Sequence, residues 1–322
     1  MSYIVTGGAG YLGSHLINLL ISSDESEVIV VDDFSNGQIS RLPSNIQVIN
    51  SPLESKNLLG KVGALEGVKG VFHLAARKSV SESLSNPELY NRVNVEGTAN
   101  VIELCKYLGV QNLVFTSSAA VYGNGRSDVA ISESNKCSPE SPYGYTKLMA
   151  EELVNLFGEN RNISTLNLRV FNMAGTEKSN YFDPNGENVI PIILRSIAEG
   201  KPFRIFGNNL LTSDGTCVRD YIHVNDVARA HLMAMQKMEE GMLDCPKTMN
   251  ISSGQGTSVL QLIQNLEVIA SRKIPIEFHD LRQGDSESVI GDCRLANTIL
   301  GWTHEKDIKE MLFESWQAWN SL

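Results

Sequence analysis

Short apolar runs alternate with longer stretches of helical spacing through the first half of the chain. The runs are Tyr3-Ile4-Val5, Val28-Ile29-Val30-Val31, Ile46-Gln47-Val48-Ile49, Gly70-Val71-Phe72-His73-Leu74, Leu113-Val114-Phe115 and Ser164 to Val170. They are β-branched and nearly continuous, the pattern of strands covered on both faces. Between them, residues 11–21, 87–108 and 143–157 carry apolar positions at helical intervals. This alternation predicts an α/β fold, a Rossmann-type doubly wound parallel sheet. After Asn172 the pattern loosens, with Gly, Asn and Pro gathered between Gly175 and Gly186. Helices are expected near 190–198, 226–238, 259–270 and 308–319, with short strands between them. The expected organisation is one domain over 1–172 and a smaller mixed α/β domain over 173–322, with part of 215–240 returning to the first.

Composition narrows the class. With 322 residues, 42% hydrophobic and 20% charged, the chain is long and apolar enough for a large core. Its net charge of -10 repels phosphate backbones, which argues against nucleic acid as a partner. An anionic ligand must then be held by local Arg, Lys or helix N-termini. The five cysteines, at 105, 137, 217, 245 and 293, form no CxxC pair. Reduced thiols, no zinc site and a cytoplasmic location are the expectation. No secretion signal and no membrane-length apolar run are seen.

Two motifs carry chemistry. Thr6-Gly7-Gly8-Ala9-Gly10-Tyr11-Leu12-Gly13 follows the first strand and opens a helix. Gly7 permits a tight turn, Gly10 close approach of backbone to a pyrophosphate, and Gly13 close packing of helix on strand. Asp32 closes the second strand, 19 residues after Gly13. A carboxylate there accepts from the adenosine ribose hydroxyls and repels a 2′-phosphate, so NAD is expected over NADP. Further on, Tyr143 and Lys147 stand four apart on one helical face. A free phenol titrates near 10, and lowering it by ~3 units needs about 4 kcal/mol. A neighbouring ammonium and a positive nicotinamide ring would both favour phenolate. Ser117 and Ser118 end the strand around Phe115, at the sheet edge where ligands bind, and Ser118 is placed to bridge a substrate hydroxyl and Tyr143.

Together these residues resemble the extended short-chain dehydrogenase/reductase family, most closely its UDP-glucose 4-epimerases. The similarity spans nearly the whole chain. It includes the Gly-rich turn, Ser117 to Gly123, Ser141-Pro142-Tyr143-Gly144 with Lys147, Leu168 to Asn172, Ile205-Phe206-Gly207, and Val218-Arg219-Asp220-Tyr221-Ile222-His223-Val224. The resemblance implies a Ser118–Tyr143–Lys147 site. Tyr143 would take the sugar 4-hydroxyl proton while hydride leaves carbon 4 for tightly held NAD, then returns to the other face of the 4-keto sugar. It further implies cofactor contacts from Gly7, Gly10, Tyr11, Leu12, Asp32, Asp33, Asn36, Ala75, Lys78, Asn94, Ser117, Tyr143 and Lys147. Contacts to a UDP-sugar are implied for Lys78, Ser118, Tyr143, Asn172, Asn188, Val189, Arg219, Arg282, Asp285 and Val289. A homodimer through the helices near 87–108 and 143–157 is also implied.

Three departures from the family pattern bear on specificity. Ser51-Pro52-Leu53 replaces a Gly-Asp-Ile-type turn whose Asp usually meets adenine. Val170 stands where a Tyr is common, and Val289 where strict UDP-glucose enzymes carry a bulky Tyr. A small residue at 289 is expected to admit N-acetylhexosamines. The rival reading is another nucleotide-sugar oxidoreductase or dehydratase. Dehydration needs further acid/base groups, and Ala119 and Ala120 stand where dehydratases of this family carry acids.

Overall fold

The computed structural model describes residues 2–23, 27–63, 65–124, 129–161, 163–184, 186–241, 247–282 and 286–322. In chain order the strands are β1 (Ser2–Thr6), β2 (Glu27–Asp32), β3 (Gln47–Asn50), β4 (Val68–His73), β5 (Asn112–Ser118) and β6 (Ser164–Val170). They continue with β7 (Asn172–Ala174), β8 (Phe203–Phe206), β9 (Val218–His223), β10 (Thr248–Ile251), β11 (Gly256–Ser258), β12 (Ile276–His279) and β13 (Ser288–Val289). Among the described residues, the main sheet runs β10-β6-β5-β4-β1-β2-β3 with every pairing parallel. The strand order reverses between β1 and β4, and a crevice opens beyond the carboxyl ends at such a point. The Gly7 turn, the Ala75–Lys78 loop and Ser118 all leave the sheet at that edge.

Near-continuous apolar strands feed two cores because alternate side chains point to opposite faces. Tyr3, Val5, Val28, Val30 and Val114 enter one core. Ile4, Ile29, Val31, Leu113 and Phe115 enter the other. The first is covered by the helix Tyr11–Ser23 through Leu12, Leu16, Ile17 and Leu20. The helix Val224–Glu239 packs on that helix, so the chain returns to the first layer with this helix and with β10. It returns again at Leu300 and Trp302, whose indole Nε1 donates to the Asp226 carbonyl at 2.8 Å. The second core is covered by the helices Gly97–Leu108 and Pro142–Arg161.

The remaining elements make a smaller layer. β7, β11 and β13 gather around β9, and β8 pairs with β12. Its core joins Ile193, Leu194, Leu262 and Leu312. No helix among the described residues is long and apolar enough to cross a membrane.

The helix expected over 87–108 has an interruption that spacing does not reveal. Pro87–Tyr90 and Gly97–Leu108 are α-helical, but Asn91–Glu96 is a π-helical turn. The wider turn carries one extra residue, and such insertions occur often at functional sites. Here it contains Asn94, which is buried.

Candidate active site

The Gly-rich turn is built so that its backbone is bare. Gly7 has φ +70°, and a Cβ there would stand 2.8 Å from the Ala75 backbone. A Cβ at Gly13 would stand 2.3 Å from the Gly7 carbonyl oxygen. The helix Tyr11–Ser23 therefore starts directly beneath the turn, its N-terminus facing the cleft. Asp32 lies at the end of β2, where Oδ2 accepts from Ala9 N at 2.9 Å and Oδ1 from Phe34 N at 2.8 Å. Burial raises its pKa and these two bonds oppose the rise. A carboxylate oxygen accepts more than one bond, so both oxygens retain capacity toward the cleft. Gly7, Gly10, Tyr11, Leu12, Asp32, Asp33 and Asn36 all line this cleft. Ser51, Pro52 and Leu53 wall the same end. The bare turn and the inward carboxylate fit the pyrophosphate and ribose of a dinucleotide.

Ser117, Ser118, Tyr143 and Lys147 face the same cleft as Ala75 and Lys78. Tyr143 is half-buried, with its ring edge-to-face on Tyr90 at 6.4 Å. Burial pushes its phenol above the ordinary value, while a hydrogen bond with Ser118 pulls it down. Lys147 is buried, with Nζ 4.4 Å from the centre of the Phe115 ring. Burial lowers its pKa to about 7 and the Glu151 carboxylate raises it. Desolvation is the largest influence on both groups.

Behind Lys147 runs a buried polar chain that spacing alone did not identify as part of the site. Glu151, one turn further on, accepts from Ser117 Oγ and pairs with Arg169. That pair is bidentate, at 2.9 Å from Nε and 2.7 Å from Nη2. Arg169 Nη1 donates to the Tyr122 hydroxyl at 3.0 Å, and Tyr122 to Asn250 Oδ1 at 2.7 Å. The available signal was an acid at 151 continuing the Tyr143, Lys147 series at four-residue intervals.

Asn94 does not line the cleft. Its Oδ1 accepts from Arg77 N at 2.8 Å, and its Nδ2 donates to the Arg77 carbonyl and to Thr146 Oγ1, each at 3.0 Å. The π turn thereby ties the loop carrying Lys78 to the helix carrying Tyr143. Both Nδ2 donors are committed to this clamp, while Oδ1 keeps a second acceptor position. Lys78 lines the cleft with its side chain exposed, and desolvation by the surrounding walls lowers its pKa.

Asn172, Asn188, Val189, Arg219, Arg282 and Val289 line the opposite wall. Asn188 occupies the N-cap of the helix Val189–Glu199, but its side chain makes no capping bond. Arg219 makes no pair with Asp220. Asp220 instead accepts from Ser253 N, Ser253 Oγ, Gly254 N and Gly291 N at 2.7–3.1 Å. Asp220 therefore anchors two turns while its neighbour faces the cleft. The Arg282 guanidinium stacks 3.5 Å from the centre of the Phe206 ring. Val289, at the edge of a small apolar cluster with Ala119 and Phe171, pairs across β13 and β9 with Arg219. Asp285, also expected here, lies outside the described residues.

This geometry has counterparts. A family model described as the NAD dependent epimerase/dehydratase family matches residues 3–252. The chain belongs to the NAD dependent epimerase/dehydratase family. Within it, the UDP-glucose 4-epimerase 4 of Oryza sativa subsp. japonica is 35% identical, over 97% of this chain and 88% of that one. A crystal structure of UDP-glucose-4-epimerase from Stenotrophomonas maltophila, with bound NAD and formylated UDP-arabinopyranose, superposes with a TM-score of 0.91. It is 33% identical and covers 100% of this chain and 98% of that one. The UDP-N-acetylglucosamine 4-epimerase of Methanobrevibacter ruminantium, solved with UDP-N-acetylmuramic acid, has a TM-score of 0.86 at 27% identity, covering 99% and 98%. The epimerase/dehydratase fold accounts for the topology, and the cleft supplies the chemistry that differs among members.

Proposed function

We propose that the chain is an NAD-dependent 4-epimerase of UDP-hexoses. The observation that carries this reading is the convergence of Ser118, Tyr143 and Lys147 on the cleft floored by the glycine turn. The names of its relatives support the substrate class. Within this reading, residues 1–172 hold the dinucleotide, joined by the helix Val224–Glu239, by β10 and by Leu300 and Trp302, and the rest of 173–322 supplies the nucleotide-sugar wall. Bound NAD supplies a reversible acceptor for the hydride of carbon 4. Tyr143 takes the proton of the 4-hydroxyl and gives it back, with Ser118 bridging hydroxyl to phenol. Lys147 holds positive charge beneath both. Arg219 and Arg282 bring local cations to the substrate diphosphate, against a net charge of -10. Ala119 and Ala120 offer no acid for dehydration. Proton NMR of UDP-glucose and UDP-galactose incubated without added NAD tests the reading. Interconversion of the two is expected; a net redox or dehydrated product overturns it.

Val289 sets the breadth of the sugar pocket in this reading. UDP-N-acetylglucosamine should react along with UDP-glucose, and Val289→Tyr should remove the acetylated substrate selectively. If wild-type protein turns over only the unacetylated sugar, the small residue is not the gate.

The same reading includes a homodimer. Tyr145, Met149 and Leu156 leave an apolar stripe exposed along Pro142–Arg161, beside exposed Tyr107 on the neighbouring helix. Apposing these faces of two copies makes a four-helix bundle. Sedimentation should report dimers for the wild type and monomers for Met149→Glu. A monomeric wild type would rule the bundle out.

A further inference from the structure

Arg41 is unused by the roles above, yet its setting is unusual for an arginine. It ends the short 3₁₀ turn Ile39–Arg41 and is only 2% exposed. Buried guanidinium groups are normally matched by a carboxylate and by hydrogen bonds on their several donors. Here Nη2 donates to the Phe182 carbonyl at 3.2 Å, and the Asp183 carboxylate stands 3.9 Å away. Nε is buried with no partner among the described residues.

The position is as telling as the deficit. Arg41 lines the same cleft as Gly7, Gly10, Tyr11 and Lys78. Its turn is fastened to the glycine turn, because Gln38 N donates to the Ala9 carbonyl at 2.9 Å and Arg41 N to the Gln38 carbonyl at 3.0 Å. Its charge acts on Tyr11, at the start of the helix beneath that turn, and on Lys78 across the cleft. The charge acting on Asp32 is that of Asp33. Arg41 thus stands beside the glycine turn, on the wall of the cleft that the turn floors. Two cations converge there in a protein of net charge -10. Asp183 and Glu187 offset that repulsion in part on Lys78, and a diphosphate lying between the two cations would offset it further.

We propose that Arg41, with Lys78, clamps the diphosphate of the bound dinucleotide against the glycine turn. The proposal rests on the cofactor reading above. A planar fork matches two phosphate oxygens at once, and Lys78 adds a point charge. The alternative is a strut that merely joins the 39–41 turn to Phe182 and Asp183.

Calorimetric titration of nucleotide-stripped, full-length protein separates these. The ligands are NAD, ADP-ribose, which carries the diphosphate, and adenosine, which does not. Arg41→Met should weaken NAD and ADP-ribose by about ten-fold or more and leave adenosine within two-fold. It should also flatten the salt dependence of ADP-ribose binding. Arg41→Lys should recover part of the loss, and it provides the comparison if the Met variant is unstable. Unchanged ADP-ribose affinity, or equal losses for ADP-ribose and adenosine, overturns the clamp. Wild-type protein that binds neither NAD nor ADP-ribose overturns the cofactor reading itself.

Discussion

Tyr143→Phe should abolish nearly all epimerisation while leaving the bound cofactor in place. The ring still packs on Tyr90, and neither the glycine turn nor Asp32 is touched, so NAD content after purification should match the wild type. What is lost is the group proposed to hold and return the 4-hydroxyl proton. Positioned acid–base groups contribute about 10²–10⁴-fold, and a fall of that order in kcat is expected. Burial raises the phenol, so its ionisation depends on charge brought near it by the oxidised ring and by Lys147. KM should change far less than kcat, since ground-state binding uses the arginines on the other wall. Near-normal turnover in this variant would remove Tyr143 from the base role and with it the proposed mechanism.

Arg169→Met should produce the second large effect, on stability and on the site together. Arg169 is the bidentate partner of Glu151, and both side chains are buried. Removing one partner leaves the other charge buried and unmatched, at a cost of about 3–5 kcal/mol. For a chain of 322 residues that is a fall in Tm of roughly 4–7 °C. The glutamate also raises the pKa of Lys147 against burial. Without Arg169 the Glu151 carboxylate is no longer held in place beside Lys147, so that support of the ammonium is weakened. Activity should then fall further than stability explains, and the pH profile of kcat/KM should move. Glu151→Gln should shift the profile the same way with a smaller loss of Tm. A drop in Tm with an unaltered profile would make the pair purely structural.

The clearest part of the site to read in advance was the part written as contiguous sequence. The glycine turn and Asp32 are fixed in relation to one strand and one helix, so local geometry places them. Tyr143 and Lys147 share one helical face for the same reason. Asn94 shows where that logic stops. Its residue type and helix were legible, but the π turn that swings it inward to Arg77 and Thr146 comes from packing between two helices and a loop. Arg219 and Asp220 are adjacent in the chain yet opposite in role. A strand sends neighbouring side chains to opposite faces, and only the surroundings of β9 decide which face is the cleft.

What the sequence determined by itself was the parallel sheet, the dinucleotide turn and the Tyr143–Lys147 pair. Each depends on periodicity or spacing within a few turns of chain. What only the tertiary structure decided was charge state and partnership. Glu151 meets Arg169 because a helix packs back on the strand that follows it, and Arg41 lies between the glycine turn and Phe182 because a turn meets a loop far along the chain. Desolvation acts on the whole environment of a group, so neither the raised phenol nor the lowered Lys147 ammonium follows from the order of residues along the chain.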